Sequence, residues 1–262
     1  QIGDEGLTSI AQEICKMRHL TSLHLQLEAN NVGQDGLQAL SDALCKAQQL
    51  THLSLKLDLN PLGRSGLVAI SAALRSLPAL NTLELRLENC GLGSKLRIRR
   101  SAASRRLLLT SYLCPGSYKP SAPKHSEASA IQALVSALTK ARKLTDLTLN
   151  LGSNGLGADG AEELGKGLSQ VRLLDKLKLY LSENNINAEG ATALVGQLAQ
   201  GSRLSELILH LGANGLVAAD RESIEAQLAD VKRRDSAVVK LFGLPGGHAN
   251  SGSGPGCARA SS

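Results

Sequence analysis

A phrase that recurs every 30 residues constrains this chain more than any other feature. The stretch LTSLHLQLEANNVG is the first of six similar copies, and successive copies start 30 residues apart except for one interval of 64. The copies begin at Leu20, Leu50, Leu80, Leu144, Leu174 and Leu204. Self-similarity at a fixed period of this length is typical of a solenoid, in which structural units stack one on the next.

The hydrophobic period changes part-way through each copy. In the first copy Leu23, Leu25 and Leu27 alternate with polar residues, and a period of two predicts a β-strand. The segment GLQALSDALCKAQQL that follows has apolar residues three and four positions apart, which predicts an amphipathic helix. Neither element can bury its apolar face alone, so we expect the units to stack.

An asparagine follows five of the six strand segments. Asn30 is the first of these, and Cys90 takes the position in the third copy. We expect this side chain to bond backbone groups at the turn that leaves the strand. The pattern Leu-x-x-Leu-x-Leu, then Asn or Cys, then Leu-Gly-x-x-Gly and a helix resembles leucine-rich repeats of the ribonuclease-inhibitor type, over residues 1–93 and 128–234.

The resemblance implies an α/β leucine-rich repeat solenoid. Such a fold is a curved horseshoe with a parallel β-sheet on the concave face and helices on the convex face. One departure concerns the unit length, because units of that type have about 28 or 29 residues and these have 30. The strand phrase carries an extra Leu-x pair, so we expect a longer strand or a bulge.

The organisation of the chain follows from the register of the repeats. Residues 1–93 are predicted to hold repeats that start mid-unit, so further repeat sequence is expected upstream. Residues 128–242 are predicted to hold the remaining repeats and a C-terminal cap helix, with RRDSAVVKLF prolonging the last helix. Residues 243–262 are rich in Gly and Ser and are predicted to be a disordered tail.

Residues 94–127 interrupt the third unit and account for the net positive charge of the chain. They hold eight basic residues and one acidic residue, which leaves 21 basic and 22 acidic residues in the rest of the chain. We predict a basic, disordered insertion. An arm that binds acidic partners, a nuclear signal and a retained intron are the alternatives.

Short motifs that resemble catalytic signatures belong to the repeat. GLGADG satisfies the dinucleotide fingerprint G-x-G-x-x-G, but its glycines at 157 and 160 match Gly33 and Gly36 of the first unit. The sequence has no nucleophile elbow and no HExxH motif, and its five cysteines lack the spacing of a zinc site. We therefore predict no enzyme, no cofactor and no metal.

The compartment and the partner class follow from composition. Scattered cysteines, odd in number, predict reduced thiols in the cytoplasm, with the nucleus as the alternative. No apolar run is long enough for a membrane span. The expected partner is another protein, and nucleic acid is expected only through the basic insertion.

Because strand side chains alternate, the residues between the leucines are predicted to face outward on the concave surface. The predicted partner-binding residues are His24, Gln26, Glu28, Lys56, Asp58, Glu84, Arg86, Glu88, Asn150, Lys178, Tyr180, Ile208 and His210. Tyr180 is the predicted anchor, as the only aromatic residue expected on that face.

The function that the resemblance implies is a protein–protein interaction scaffold that binds a partner on the concave strand face. Two alternatives stay open. One is a regulatory module acting on a GTPase, similar to Ran GTPase-activating proteins. The other is a sensor fragment of a larger receptor.

Overall fold

The computed structural model describes residues 1–92, 128–201, 204–232 and 238–244. Strands and helices alternate along these residues. The helices are α1 (Gly3–Ile14), α2 (Gln34–Leu44), α3 (Gly63–Arg75), α4 (Ala128–Lys140), α5 (Gly157–Leu168), α6 (Asn187–Gly201) and α7 (Ala218–Lys232). The strands are β1 (Ser22–Gln26), β2 (His52–Lys56), β3 (Thr82–Arg86), β4 (Asp146–Asn150), β5 (Lys176–Tyr180), β6 (Glu206–His210) and β7 (Val238–Phe242).

The strands form one open parallel sheet in chain order from β1 to β7. The pairs from β1 to β6 keep the register that the repeat predicts, so that Leu25 lies opposite Leu55 and Leu55 opposite Leu85. Strand β3 pairs with β4 in the same way, with Leu85 opposite Leu149, although their sequence spacing is 64. The fold is the predicted α/β solenoid, with the helices packed on the other side of the sheet.

The core lies between the sheet and the helices and is mostly leucine, with Ala, Ile and Val making up most of the rest. Leu53, Leu55 and Leu57 of the second unit are 2%, 0% and 0% exposed, and Leu37 and Leu40 of α2 are equally covered. Burying one such side chain stabilises the fold by about 1.5–3 kcal/mol relative to leaving it exposed. Since every unit repeats these positions, one long core runs through the whole solenoid.

The extra Leu-x pair prolongs the parallel ladder without a bulge in the described strand pairs. The Leu27 N–H donates to the Lys56 carbonyl at 2.8 Å, and the Ala29 N–H donates to the Asp58 carbonyl at 3.0 Å. The chain then turns through a left-handed residue, with φ 54° at Ala29 and 61° at Leu59. The expected longer strand is thus present as extended hydrogen bonding beyond the five-residue strand.

The asparagines form the expected ladder at this turn. The Asn60 Nδ2 donates to the Leu27 and Leu57 carbonyls at 2.7 and 2.9 Å, and its Oδ1 accepts from the Asn30 and Val32 N–H groups. Asn60 is 1% exposed, so these bonds satisfy backbone groups that water does not reach. Each asparagine therefore ties its own unit to the preceding one.

Cys90 occupies the same position with one donor in place of two. Its Sγ lies 3.2 Å from the Leu57 carbonyl, and its own N–H donates to Asn154 Oδ1 at 3.0 Å. Burial raises the pKa of the Cys90 thiol to about 12. The thiol is therefore protonated at neutral pH and acts as a donor in the ladder.

The end of the solenoid differs from the prediction. The predicted cap helix is wrong for residues 238–242, which form β7 and pair with β6, so that Val239 lies opposite Leu207 and Leu241 opposite Leu209. Helix α7 ends at Lys232. The physical reason is that Val239 and Leu241 alternate with Lys240 and Phe242, which suits a strand with one buried face.

Several sequence predictions fall outside the described residues. These are the basic insertion at 94–127 and the tail from residue 245 onwards. Within the described ranges, no helix combines the length and the apolar character that crossing a bilayer requires.

Candidate functional site

Three rows of side chains on the concave face run across the strands and hold the predicted binding residues. Parallel pairing in register places equivalent residues of successive units side by side. The first row is His24, Ser54, Glu84, Thr148, Lys178, Ile208 and Lys240. The middle row is Gln26, Lys56, Arg86, Asn150, Tyr180, His210 and Phe242. The third row, just beyond the strands, is Glu28, Asp58, Glu88, Gly152, Ser182 and Gly212. All the predicted partner-binding residues lie in these rows.

The rows on β1–β3 form a polar network centred on Asp58. Arg86 Nε lies 2.9 Å from Asp58 Oδ2, and the Glu88 N–H donates to Asp58 Oδ1 at 2.8 Å. Burial raises the pKa of the Asp58 carboxyl, although the Glu88 N–H and the Arg86 charge act in the opposite direction. The network fixes the Arg86 side chain against the sheet.

Further hydrogen bonds extend the network along the face. The Ser54 hydroxyl donates to Glu84 Oε2 at 2.7 Å. The Asn150 Nδ2 donates to Glu88 Oε2 at 3.1 Å, and the Gly152 N–H donates to Asn150 Oδ1 at 3.0 Å.

Two predicted contact residues, Asp58 and Asn150, are therefore buried and bonded to neighbouring residues of the same face. Asp58 is 6% exposed and Asn150 is 7% exposed. Their hydrogen bonds position Arg86 and Glu88, whose side chains remain partly exposed. At the far end of the face, His24 and Gln26 are exposed and contact each other at 3.0 Å.

The middle row on β5–β7 is a stack of three rings. The Tyr180 and His210 ring centroids are 4.5 Å apart with the planes 23° from parallel, and those of His210 and Phe242 are 4.3 Å apart with an angle of 11°. The strand spacing of about 4.8 Å sets these distances. Tyr180 is thus not the only aromatic residue on the face, because β7 adds Phe242.

Sequence reasoning missed Phe242 and Lys240 because it assigned their segment to a helix. The alternation of Val239 and Leu241 with these two residues was the available signal. Burial lowers the pKa of His210 below its ordinary value, so its ring is neutral at neutral pH.

Two positive side chains of this half, Lys178 and Lys240, lie in the first row, and a third, Lys176, is the first residue of β5 and pairs with Asp146 at 3.7 Å. Lys178 Nζ is 3.9 Å from Glu206 Oε1, which is a loose ion pair. Lys240 lies on the other side of Ile208 and is exposed, with no ion pair to a described residue.

Comparison with known families agrees with this geometry. A family model described as "Leucine Rich repeat" matches residues 16–41, 143–165 and 176–195. The matched residues are leucine-rich repeats. Leucine-rich repeats generally serve as protein–protein interaction scaffolds and are typically non-enzymatic. A search of curated proteins gives no significant match.

The leucine-rich repeats also offer no metal centre in the part of the chain that the structure describes. No group of three or more His, Cys, Asp or Glu side chains is arranged there to hold an ion. What the concave face provides is a broad polar surface on one half and an aromatic surface on the other.

Proposed function

We propose that the protein binds another protein on the concave face of its leucine-rich repeats. The observation that supports this most is the continuous sheet of seven strands, whose side chains between the leucines are not part of the core. The helices cover the opposite side, and their inner faces are used in packing. The concave face therefore offers side chains of many kinds at fixed spacing to a partner.

We also infer the repeat subtype and the compartment. The pairing of each strand with a helix of 11 to 15 residues supports the ribonuclease-inhibitor type. Free thiols at Cys15, Cys45 and Cys90 support a reducing compartment such as the cytoplasm, with the nucleus as the alternative.

Affinity measurements with matched variants test the binding face. A partner captured by pull-down with the full chain is titrated against wild type, Tyr180→Ala and Gln38→Ala. Tyr180→Ala removes an aromatic side chain from the middle row and should weaken affinity by about 1–3 kcal/mol. Gln38 is exposed on α2 and bonds only its own helix neighbour Asp42, so Gln38→Ala should have almost no effect. The reverse ranking would place the interface on the convex helices.

A further inference from the structure

The ring stack on β5–β7 has surroundings that differ from the rest of the concave face. Tyr180, His210 and Phe242 present their edges outward, because their faces are turned toward one another. Ring edges carry partial positive charge and ring faces partial negative charge. The accessible side of this stack therefore favours electron-rich groups such as carboxylate and carbonyl oxygens.

The first row places two ammonium groups beside the stack. Lys178 and Lys240 lie on either side of Ile208, each paired with it across one strand spacing. Two strand spacings separate their backbones by about 10 Å. This distance suits two carboxylates of a partner better than a single one. Ile208 between them is partly exposed and offers an apolar contact.

The third row leaves open space on the other side of the rings. Gly212 does not have the left-handed backbone that favours glycine. A Cβ at Gly212 would lie 3.5 Å from Gly243 Cα and 3.6 Å from Ser182 Oγ, which are ordinary contacts. Neither the backbone nor the packing requires glycine there, so the consequence of having it is room beside the His210 and Phe242 rings.

We propose that β5–β7 bind an acidic segment of a partner protein that also carries a large apolar side chain. The apolar side chain lies against the ring stack in the space left by Gly212, and carboxylates of the segment pair with Lys178 and Lys240. This inference rests on the proposed function and specifies which chemistry the C-terminal half recognises.

Two other occupants fit the surface less well. Single-stranded nucleic acid binds by stacking bases on ring faces, but His210 has both faces covered by its neighbours. A second copy of this chain would have to bring its own convex or edge surface into a concave face.

Selection from a random peptide library on the immobilised full chain tests the proposal. Enriched peptides should combine Asp or Glu with Leu, Ile, Phe, Tyr or Trp. The best peptide is then synthesised with a fluorescent label, and its Kd is measured by anisotropy for wild type and for the variants. A charge-reversed peptide, in which Lys replaces each Asp and Glu, should bind at least ~10-fold more weakly.

Two pairs of variants separate binding from folding. Lys240→Glu should raise the Kd of the acidic peptide by ~10-fold or more. Lys143→Glu makes the same charge change in the loop between α4 and β4 and should change that Kd by less than ~2-fold. Gly212→Ala should raise the Kd by at least ~5-fold by filling the space. Gly196→Ala in α6 is the matched control, since a Cβ there has only one ordinary contact, with Gln227. Thermal melting should show all four variants folded.

Each other outcome overturns a defined part of the argument. Enriched basic peptides whose affinity falls on Glu84→Lys would contradict the acidic partner but leave concave-face binding intact. An effect of Gly196→Ala equal to that of Gly212→Ala, or a library with no enriched peptide, would contradict both proposals. Tighter binding of a single-stranded oligonucleotide, or a dimer abolished by Lys240→Glu in sedimentation, would assign the surface to one of the rejected occupants.

Discussion

On β1–β3 the concave face presents carboxylates and cations that are bonded to one another, whereas on β5–β7 it presents stacked rings beside residues with little or no side chain. Asp58, Arg86 and Glu88 form the first arrangement, and Tyr180, His210 and Phe242 form the second. The leucines beneath β1–β3 recur at the same positions beneath β5 and β6. The comparison teaches that the repeat fixes the core while leaving the surface free to differ from one unit to the next.

The strongest test of the shared core is to remove an equivalent leucine from each half. Leu85 and Leu179 are both 0% exposed at the same strand position. Leu85→Ala and Leu179→Ala should each lower the free energy of unfolding by about 2–5 kcal/mol, through lost burial and a residual cavity. Urea denaturation measures both. A loss in only one variant would mean that the halves do not share an equivalent core.

The next test compares the third row in the two halves. Asp58→Ala leaves the Glu88 N–H and the partly buried Arg86 guanidinium without their shared partner. It should therefore lower the free energy of unfolding by about 1–3 kcal/mol. Ser182→Ala is the equivalent change on β5 and should cost less than about 0.5 kcal/mol. Equal losses in urea denaturation would show that the polar network adds nothing specific to the first half.

A smaller effect, an increase in stability, is expected from a substitution at the turn that follows β2. Leu59 has φ 61° and is 54% exposed, a left-handed conformation that is costly for a leucine. Leu59→Asn should raise the free energy of unfolding by about 1 kcal/mol, because Asn tolerates this conformation. Leu173→Asn is the control, since Leu173 is 56% exposed and its φ is not positive. A similar gain at Leu173 in the same denaturation assay would point to general removal of exposed apolar surface.

The smallest expected effect sharpens the comparison by pH. Because burial lowers the pKa of His210, the unfolded chain takes up the proton at a higher pH than the folded chain. The contribution of His210 to the free energy of unfolding is therefore constant above the ordinary pKa of about 6.5. It is lost as the pH falls below that value toward the lowered pKa of the folded state. His210→Phe keeps a ring in the stack but does not titrate.

The measurement is the difference in free energy of unfolding between wild type and His210→Phe from about pH 8 to about pH 5. The free energy of unfolding of the variant should rise relative to that of wild type only in the acidic part of that range. A constant difference would mean that the ring is equally accessible to protons in both states. His24→Phe on β1 is the control, since His24 is exposed.

Features that recur in several repeat units were predicted from the sequence, and features that occur in one unit only were missed. Strand register, buried leucines and the asparagine ladder are written into several units each, so one deviating residue such as Cys90 did not obscure them. Strand β7 was missed because its pairing is offset by 32 residues rather than 30, with Gly243 in place of a leucine. The burial of Asp58 was not predictable either, since it depends on Arg86 and Glu88 of the neighbouring unit.

Contacts in the described part of the solenoid join only neighbours. Each helix packs on the next helix in the chain, and each strand pairs with the next strand. The units are therefore connected in series, and a force applied at the two ends acts on every interface between units. The weakest of these interfaces should separate first. A ligand that held β1–β3 and β5–β7 together would connect units that the chain leaves independent. Binding would then stiffen the horseshoe as well as occupy it.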